Sequence, residues 1–327
     1  NGAKFIKLHA NQNGGNGNDH AVYGDLKLVK DDYSLSQRPI TGLKTVEEYD
    51  AILSNNTIEE NMENHKMTIL QRAFVNRVGY ESLQRLAGKS DKYAEAIDYL
   101  MNDETALNYF ITGGAINKGG SHQATVRHFC DIYSNYEAEL KETWDDNFNL
   151  RLAISISLAY SREEMVGFWE RSNKDRSALT RYETFQTLVA SGKMDIGGNA
   201  DNHTKWSTQE FKNLPIPLMR LVVDSRINDD EAMWLLDLAI SEKAKGNNHV
   251  NAYNYIDYTV GYNYNNPRLF DENNKEEFNN KYGNFLNYFN DYGKKDVYRL
   301  WMVFEEGSVC GGLAQTYSAL AEVLGRP

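Results

Sequence analysis

Between residues 228 and 246 every local signal asks for the same structure. Asn228 can cap a helix, Asp229, Asp230 and Glu231 put negative charge in its first turn, and Ala232, Leu235, Leu236, Ala239 and Ile240 form one apolar stripe. Lys243 and Lys245 then close the last turn before Gly246. A second start signal, Thr45-Val46-Glu47-Glu48, is a capping box just ahead of Tyr49, Ile52 and Leu53 at helical spacing. Leu150, Leu152, Ile154, Ile156 and Leu158 alternate as a strand would, but Ala153, Ala159 and the helical surroundings favour a buried helix. A further helix is expected over 125–142, with Cys130 between Phe129 and Tyr133 in an inert core role. Pro215 and Pro217 mark a bend ahead of a helix over 218–225. No fixed-period repeat is present, which argues against a solenoid. The fold class is therefore mainly α with a small β part, and residues 39–246 form an irregular helical domain.

The two ends have a different texture. Ile6, Leu8 and Ala10 alternate with polar positions, and Val22, Leu26 and Leu28 alternate again across a Gly- and Asn-rich loop, the pattern of two antiparallel strands. A lone hairpin is marginal in water, so these strands belong to a larger sheet, and both ends read as cut through a domain. Polar residues up to 38, then Pro39 and Gly42, set the boundary. Residues 247–296 are rich in Asn and Tyr, with Gly261, Pro267, Gly283 and Gly293 breaking helices. They form a connecting segment wrapped over the helical domain; the alternative is a groove lined by Tyr253, Tyr255, Tyr258, Tyr262 and Tyr264.

A formal net charge of −11 argues against a nucleic-acid surface, which needs clustered Lys and Arg. No apolar run approaches the length of a membrane span, and no signal-peptide pattern is present. The seven histidines are scattered and form no H-E-x-x-H, and no C-x-x-C pair occurs, so neither a metal nor a cofactor is expected. Gly113-Gly114 and Gly119-Gly120 lack the lysine and spacing of a phosphate cradle. The run from Gly197 to His203 has too few acids for a calcium loop, and Glu163-Glu164 and Glu276-Glu277 are solvated faces.

The chemistry concentrates at Glu306-Gly307-Ser308-Val309-Cys310-Gly311-Gly312-Leu313. Leu313, Tyr317, Leu320, Ala321 and Leu324 share one face at helical spacing, and Gly325 and Pro327 stop the helix. Cys310 thus heads a helix, where unpaired N–H groups and the dipole favour the thiolate. Thiols so placed can titrate well below about 8.5. Gly311 and Gly312 keep the approach open, so a carbonyl can come close to the sulfur and to backbone oxyanion donors. The plain alternative is a small buried spacer where elements pack closely.

The run Val297-Tyr298-Arg299-Leu300-Trp301-Met302-Val303-Phe304, followed by the cysteine motif, resembles the start of a transglutaminase-like cysteine domain, as found in large secreted proteins of Gram-positive bacteria. The resemblance covers the last thirty or so residues (297–327) and implies an α+β core whose first helix carries Cys310 as nucleophile. Gly325-Arg326-Pro327 matches the family's lead into the first core strand. The resemblance places a histidine and then an aspartate on later strands, beyond this chain. The 327 residues alone are therefore expected to have no turnover. At the other end, Gly17-Asn18-Asp19-His20-Ala21-Val22-Tyr23-Gly24-Asp25-Leu26-Lys27-Leu28 is similar to the closing strands of NPCBM and discoidin-like galactose-binding jelly rolls, with Leu26 where alanine is usual. Residues 1–38 would then end a carbohydrate-binding module.

Together these resemblances imply an extracellular or cell-surface modular protein. Its thiol domain would transfer or hydrolyse amides on a protein or peptide substrate, and its jelly roll would hold it on a cell-surface glycan. The rival reading is a non-catalytic glycan-binding adhesion or scaffold protein with a degenerate cysteine domain.

Overall fold

The computed structural model describes residues 40–116, 120–142, 147–161, 177–197, 207–224, 229–244 and 310–327. Among them all regular structure is helical. The order is α1 (Val46–Leu53), α2 (Ile58–Asn64), α3 (Lys66–Val78), α4 (Tyr80–Ala87), α5 (Asp91–Asn102), α6 (Glu104–Thr112), α7 (His122–Lys141), α8 (Phe148–Ala159), α9 (Ala178–Ala190), a 3-10 turn (Lys193–Gly197), α10 (Thr208–Lys212), α11 (Ile216–Val223), α12 (Asp229–Ala244) and α13 (Cys310–Val323). The chain is thus mainly α. The strands expected within 1–38, the 297–304 run that carries the resemblance, the Asn- and Tyr-rich segment, residues 198–203 and both Glu-Glu pairs lie outside the described residues. No helix among the described residues is long and apolar enough to cross a membrane.

Local chemistry starts these helices. Thr45 accepts from the Glu48 N–H (3.3 Å) while the Glu48 carboxylate accepts from the Thr45 N–H (2.7 Å), the reciprocal box the sequence predicts. Thr57 and Glu60 repeat it at α2. Ser90, Asp103, Ser121, Ser177 and Ser207 cap α5, α6, α7, α9 and α10 through single side-chain bonds. Ser121 starts α7 a turn earlier than the expected residue 125, with its hydroxyl accepting from the Ala124 N–H (3.0 Å). The Pro pair also acts differently from expectation. Pro215 is the N-cap residue of α11 and Pro217 lies inside its first turn, so the helix begins at Ile216 rather than 218. A proline is tolerated there because the first N–H groups of a helix have no intrahelical acceptor to lose.

The alternating run from Leu150 to Leu158 is a helix. Every residue of α8 but Asn149 is buried, including Arg151, Ser155 and Ser157. A helix with no solvent face needs neighbours all round, and α6, α7, α9 and α11 supply them. Two of the three buried polar side chains are satisfied inside, while the Ser155 hydroxyl has no hydrogen-bond partner among the described residues. Ser157 donates to the Ala153 carbonyl (2.7 Å), and Arg151 donates to the carbonyls of Leu214 and Lys212 (2.6 Å each), which end α10 and lead into α11. Close approach explains two glycines. A Cβ on Gly113 would lie 2.6 Å from Leu158 Cδ1 and 2.8 Å from Ile216 Cγ2, and one on Gly120 would meet Ser161 Oγ at 2.3 Å. They are packing glycines where α6, α8 and α11 converge and where the start of α7 meets the end of α8.

α7 bends where Tyr136 leaves helical geometry (φ −131°, ψ 30°). Ser134 and Asn135 donate to the carbonyls of Cys130 and Asp131 four residues back (2.7 and 2.9 Å), side-chain bonds that compete with the helical ladder just before the break. Tyr136 settles against the Tyr182 ring at 5.0 Å and donates to Glu183 (2.9 Å), which couples the bend to α9.

Depth in this core should govern mutational cost. Ile154→Ala, at a wholly buried α8 position, is expected to lower stability by about 2–5 kcal/mol in urea melts. Leu221→Ala, on the exposed side of α11, should stay within about 0.5 kcal/mol of the parent.

Candidate functional site

α13 begins at Cys310 and runs fourteen residues to Val323, so Cys310, Gly311 and Gly312 all lie in its first turn. The other end of α13 is fixed in detail. Gly325 takes φ +74°, its N–H donates to the Glu322 carbonyl (2.9 Å), and the Arg326 N–H donates to the Ala321 carbonyl (2.8 Å). Those two bonds make a Schellman stop, the role expected of Gly325. Only glycine fits on two counts: the positive φ, and a Cβ that would sit 2.5 Å from Met194 Cε and 2.7 Å from Phe211 Cβ.

The inward face of α13 includes Leu320 and Leu324 of the expected stripe and extends to one side of it. Thr316, Ala319, Leu320, Val323 and Leu324 are buried, whereas Ala321 is only half-buried. The side chains of Cys310, Leu313 and Tyr317 lie outside the described residues. This face packs against α11 and α12. Burying a Leu or Val side chain contributes about 1.5–3 kcal/mol, so Leu320, Val323 and Leu324 anchor the carboxyl half of the helix.

A buried charge organises the same region. Arg181 of α9 is wholly enclosed, its Nε 2.8 Å from Asp229 Oδ1 at the start of α12 and its guanidinium 5.9 Å from the centre of the Tyr160 ring after α8. Burial works against the charged form, but Tyr160, Asp229 and the Glu322 carboxylate of α13 outweigh it and raise the guanidinium pKa. A charge so enclosed has to keep its partners; leaving one uncompensated costs about 3–5 kcal/mol. α8, α9, α12 and α13 thereby share one electrostatic node.

Cys130 is the other cysteine. Its thiol is fully buried in α7 and burial pushes its pKa well up, which suits the inert role expected of it. Among the described residues no three His, Cys, Asp or Glu side chains are grouped to hold a metal ion. Between α5 and α7 lies an open polar groove of about 530 Å³, where Glu137 accepts from Lys141 (2.5 Å) and Lys92 (2.7 Å) and Lys141 lies over the Tyr99 and Tyr133 rings. Those two lysines, Lys141 foremost, hold the Glu137 carboxyl down at about 2. It is an ionised partner at neutral pH, not a proton donor.

No protein-family model matches the chain, and neither a curated protein nor a solved structure does. Sequence reasoning missed the Arg181 node, because its three partners lie on separate segments, after α8, in α12 and in α13. It also missed Arg151, whose only signal was an arginine set in an otherwise apolar run.

Two outcomes follow from this geometry. Gly325→Ala should cost about 1–3 kcal/mol in denaturant melts, through backbone strain and the clash with Met194 and Phe211. Glu137 has a folded pKa below its ordinary 4.5, so its contribution is present above about pH 4.5 and lost as the pH falls towards about 2. The stability gap between the parent and Glu137→Gln should therefore close over that interval when melts are compared by circular dichroism.

Proposed function

We propose that this chain supplies the nucleophile of a transglutaminase-like thiol enzyme, with Cys310 as the attacking group. One observation carries the reading: α13 starts at Cys310, so the sulfur belongs to the turn where backbone N–H groups are unpaired and the dipole favours a thiolate. Two glycines follow it directly, leaving no side chain at Gly311 and Gly312 to obstruct an incoming carbonyl. The anchored carboxyl half of α13 supports the same reading, since a nucleophile must be held in place and the Gly325 stop and the Arg181 node restrain this helix.

In the proposed reaction the Cys310 thiolate adds to the amide carbonyl of a protein or peptide, and the oxyanion is met by backbone N–H groups of the first turn. The C–N bond then breaks, the departing amine takes a proton, and a thioester remains. An amine or water cleaves that thioester and regenerates the thiolate. The general base and its orienting carboxylate would be a histidine and an aspartate, the partners that the family resemblance implies. A jelly-roll module ending near residue 38 would hold the protein on extracellular glycans.

Alkylation of the folded chain with iodoacetamide, read by peptide mapping, tests the thiol directly. Cys130 is enclosed and should stay unmodified, giving an internal standard for the native fold. Cys310 should react at pH 6–7 faster than a cysteine in an unstructured peptide, with a midpoint clearly below about 8.5. A rate no greater than that of the peptide would remove the activated nucleophile.

A further inference from the structure

A second site lies away from Cys310 and does not depend on its role. α6, α8 and the start of α11 enclose an open cleft of about 420 Å³, lined by Asn108, Tyr109, Thr112, Arg151, Asn213 and the Pro215–Pro217 turn. The volume falls in the range of small-molecule sites, about 300–1,000 Å³.

Its electrostatic character runs against the rest of the molecule. The chain carries a net charge of −11, yet none of the described residues lining the cleft is acidic, and the one charged side chain there is Arg151. Arg151 is only 7% exposed and is held rigidly by its bonds to the Leu214 and Lys212 carbonyls. The amino end of α11 opens on the same cleft. Its N-cap residue is Pro215, which offers no side-chain cap, and no acid occupies its first turn, so the positive end of the helix is not offset locally. The Arg151 guanidinium and a helix start with no acid in its own first turn therefore act on the same space.

The remaining lining is neutral and rich in hydrogen-bonding groups. The Asn108 amide and the Tyr109 hydroxyl have no hydrogen bond to another described residue, and the Asn213 side chain uses its oxygen to accept from Gln209 (2.9 Å), leaving its N–H groups as donors. Amide groups beside a half-exposed tyrosine ring match vicinal hydroxyls and the apolar face of a pyranose.

We propose that this cleft binds an acidic sugar, with the carboxylate drawn to the Arg151 and α11 end and the hydroxyls met by Asn108, Tyr109 and Asn213. D-glucuronate is the probe, titrated calorimetrically into the folded chain at low salt, with D-glucose and acetate alongside. Glucuronate should bind saturably and more tightly than either comparator, because only it offers both the charge and the hydroxyls. Asn108→Asp changes a half-buried surface residue without altering its shape and places a like charge in the cleft. It should weaken glucuronate binding by about tenfold or more while leaving the circular dichroism spectrum and melting curve unchanged. Arg151→Lys keeps the charge but loses one carbonyl bond, and should weaken binding less than Asn108→Asp. Three results would overturn the proposal: no saturable binding of glucuronate, equal binding by folded Asn108→Asp, or tighter binding of acetate or of a short peptide with a free carboxyl terminus.

Discussion

α8 has no side that can face water, and that single fact shapes the helical body. A surface helix needs one neighbour; α8 needs a cage, and α6, α7, α9 and α11 are its bars. The cage explains where polar groups go. Arg151 is almost wholly enclosed, so it turns to the carbonyls that end α10 and fixes where α11 begins. The glycines at 113 and 120 exist because the bars come too close for a Cβ. Even the Arg181 node is an edge of this cage, since Tyr160 directly follows α8. The cleft lined by Arg151 and the seat of α13 lie against the same element, α11, which packs on both α8 and α13.

Local rules carried far in this chain and stopped at a recognisable point. The box at Thr45 and Glu48, the helix over α12 and the glycine stop after α13 depend on neighbours within four or five residues, and all three are legible in sequence. α8 was legible by a different route. Its alternation favoured a strand, and the alanines within it tipped the balance to helix, a choice the burial on every side makes sense of. Ser121 escaped notice because α7 lacks an acid three residues on, so only the hydroxyl marks its start.

What sequence could not show is contact between distant segments. Arg181 and Asp229 look like ordinary surface residues until α9 and α12 are brought together. The face of α13 was read only in part for a related reason. Periodicity ranks residues by apolarity, and the buried Thr316 does not register, while Ala321 registers although it is only half-buried. The candidate nucleophile is the reverse case. Its position at a helix start was evident from spacing, because a helix boundary is a local property.

The bend in α7 has an electrical consequence. The interruption at Tyr136 breaks the run of aligned peptide dipoles into a longer and a shorter stretch whose opposite ends meet at the kink. Glu137 is the first residue past that division. Its carboxylate sits between two ammonium groups, so the ion pairs that join α5 to α7 are set directly past the break.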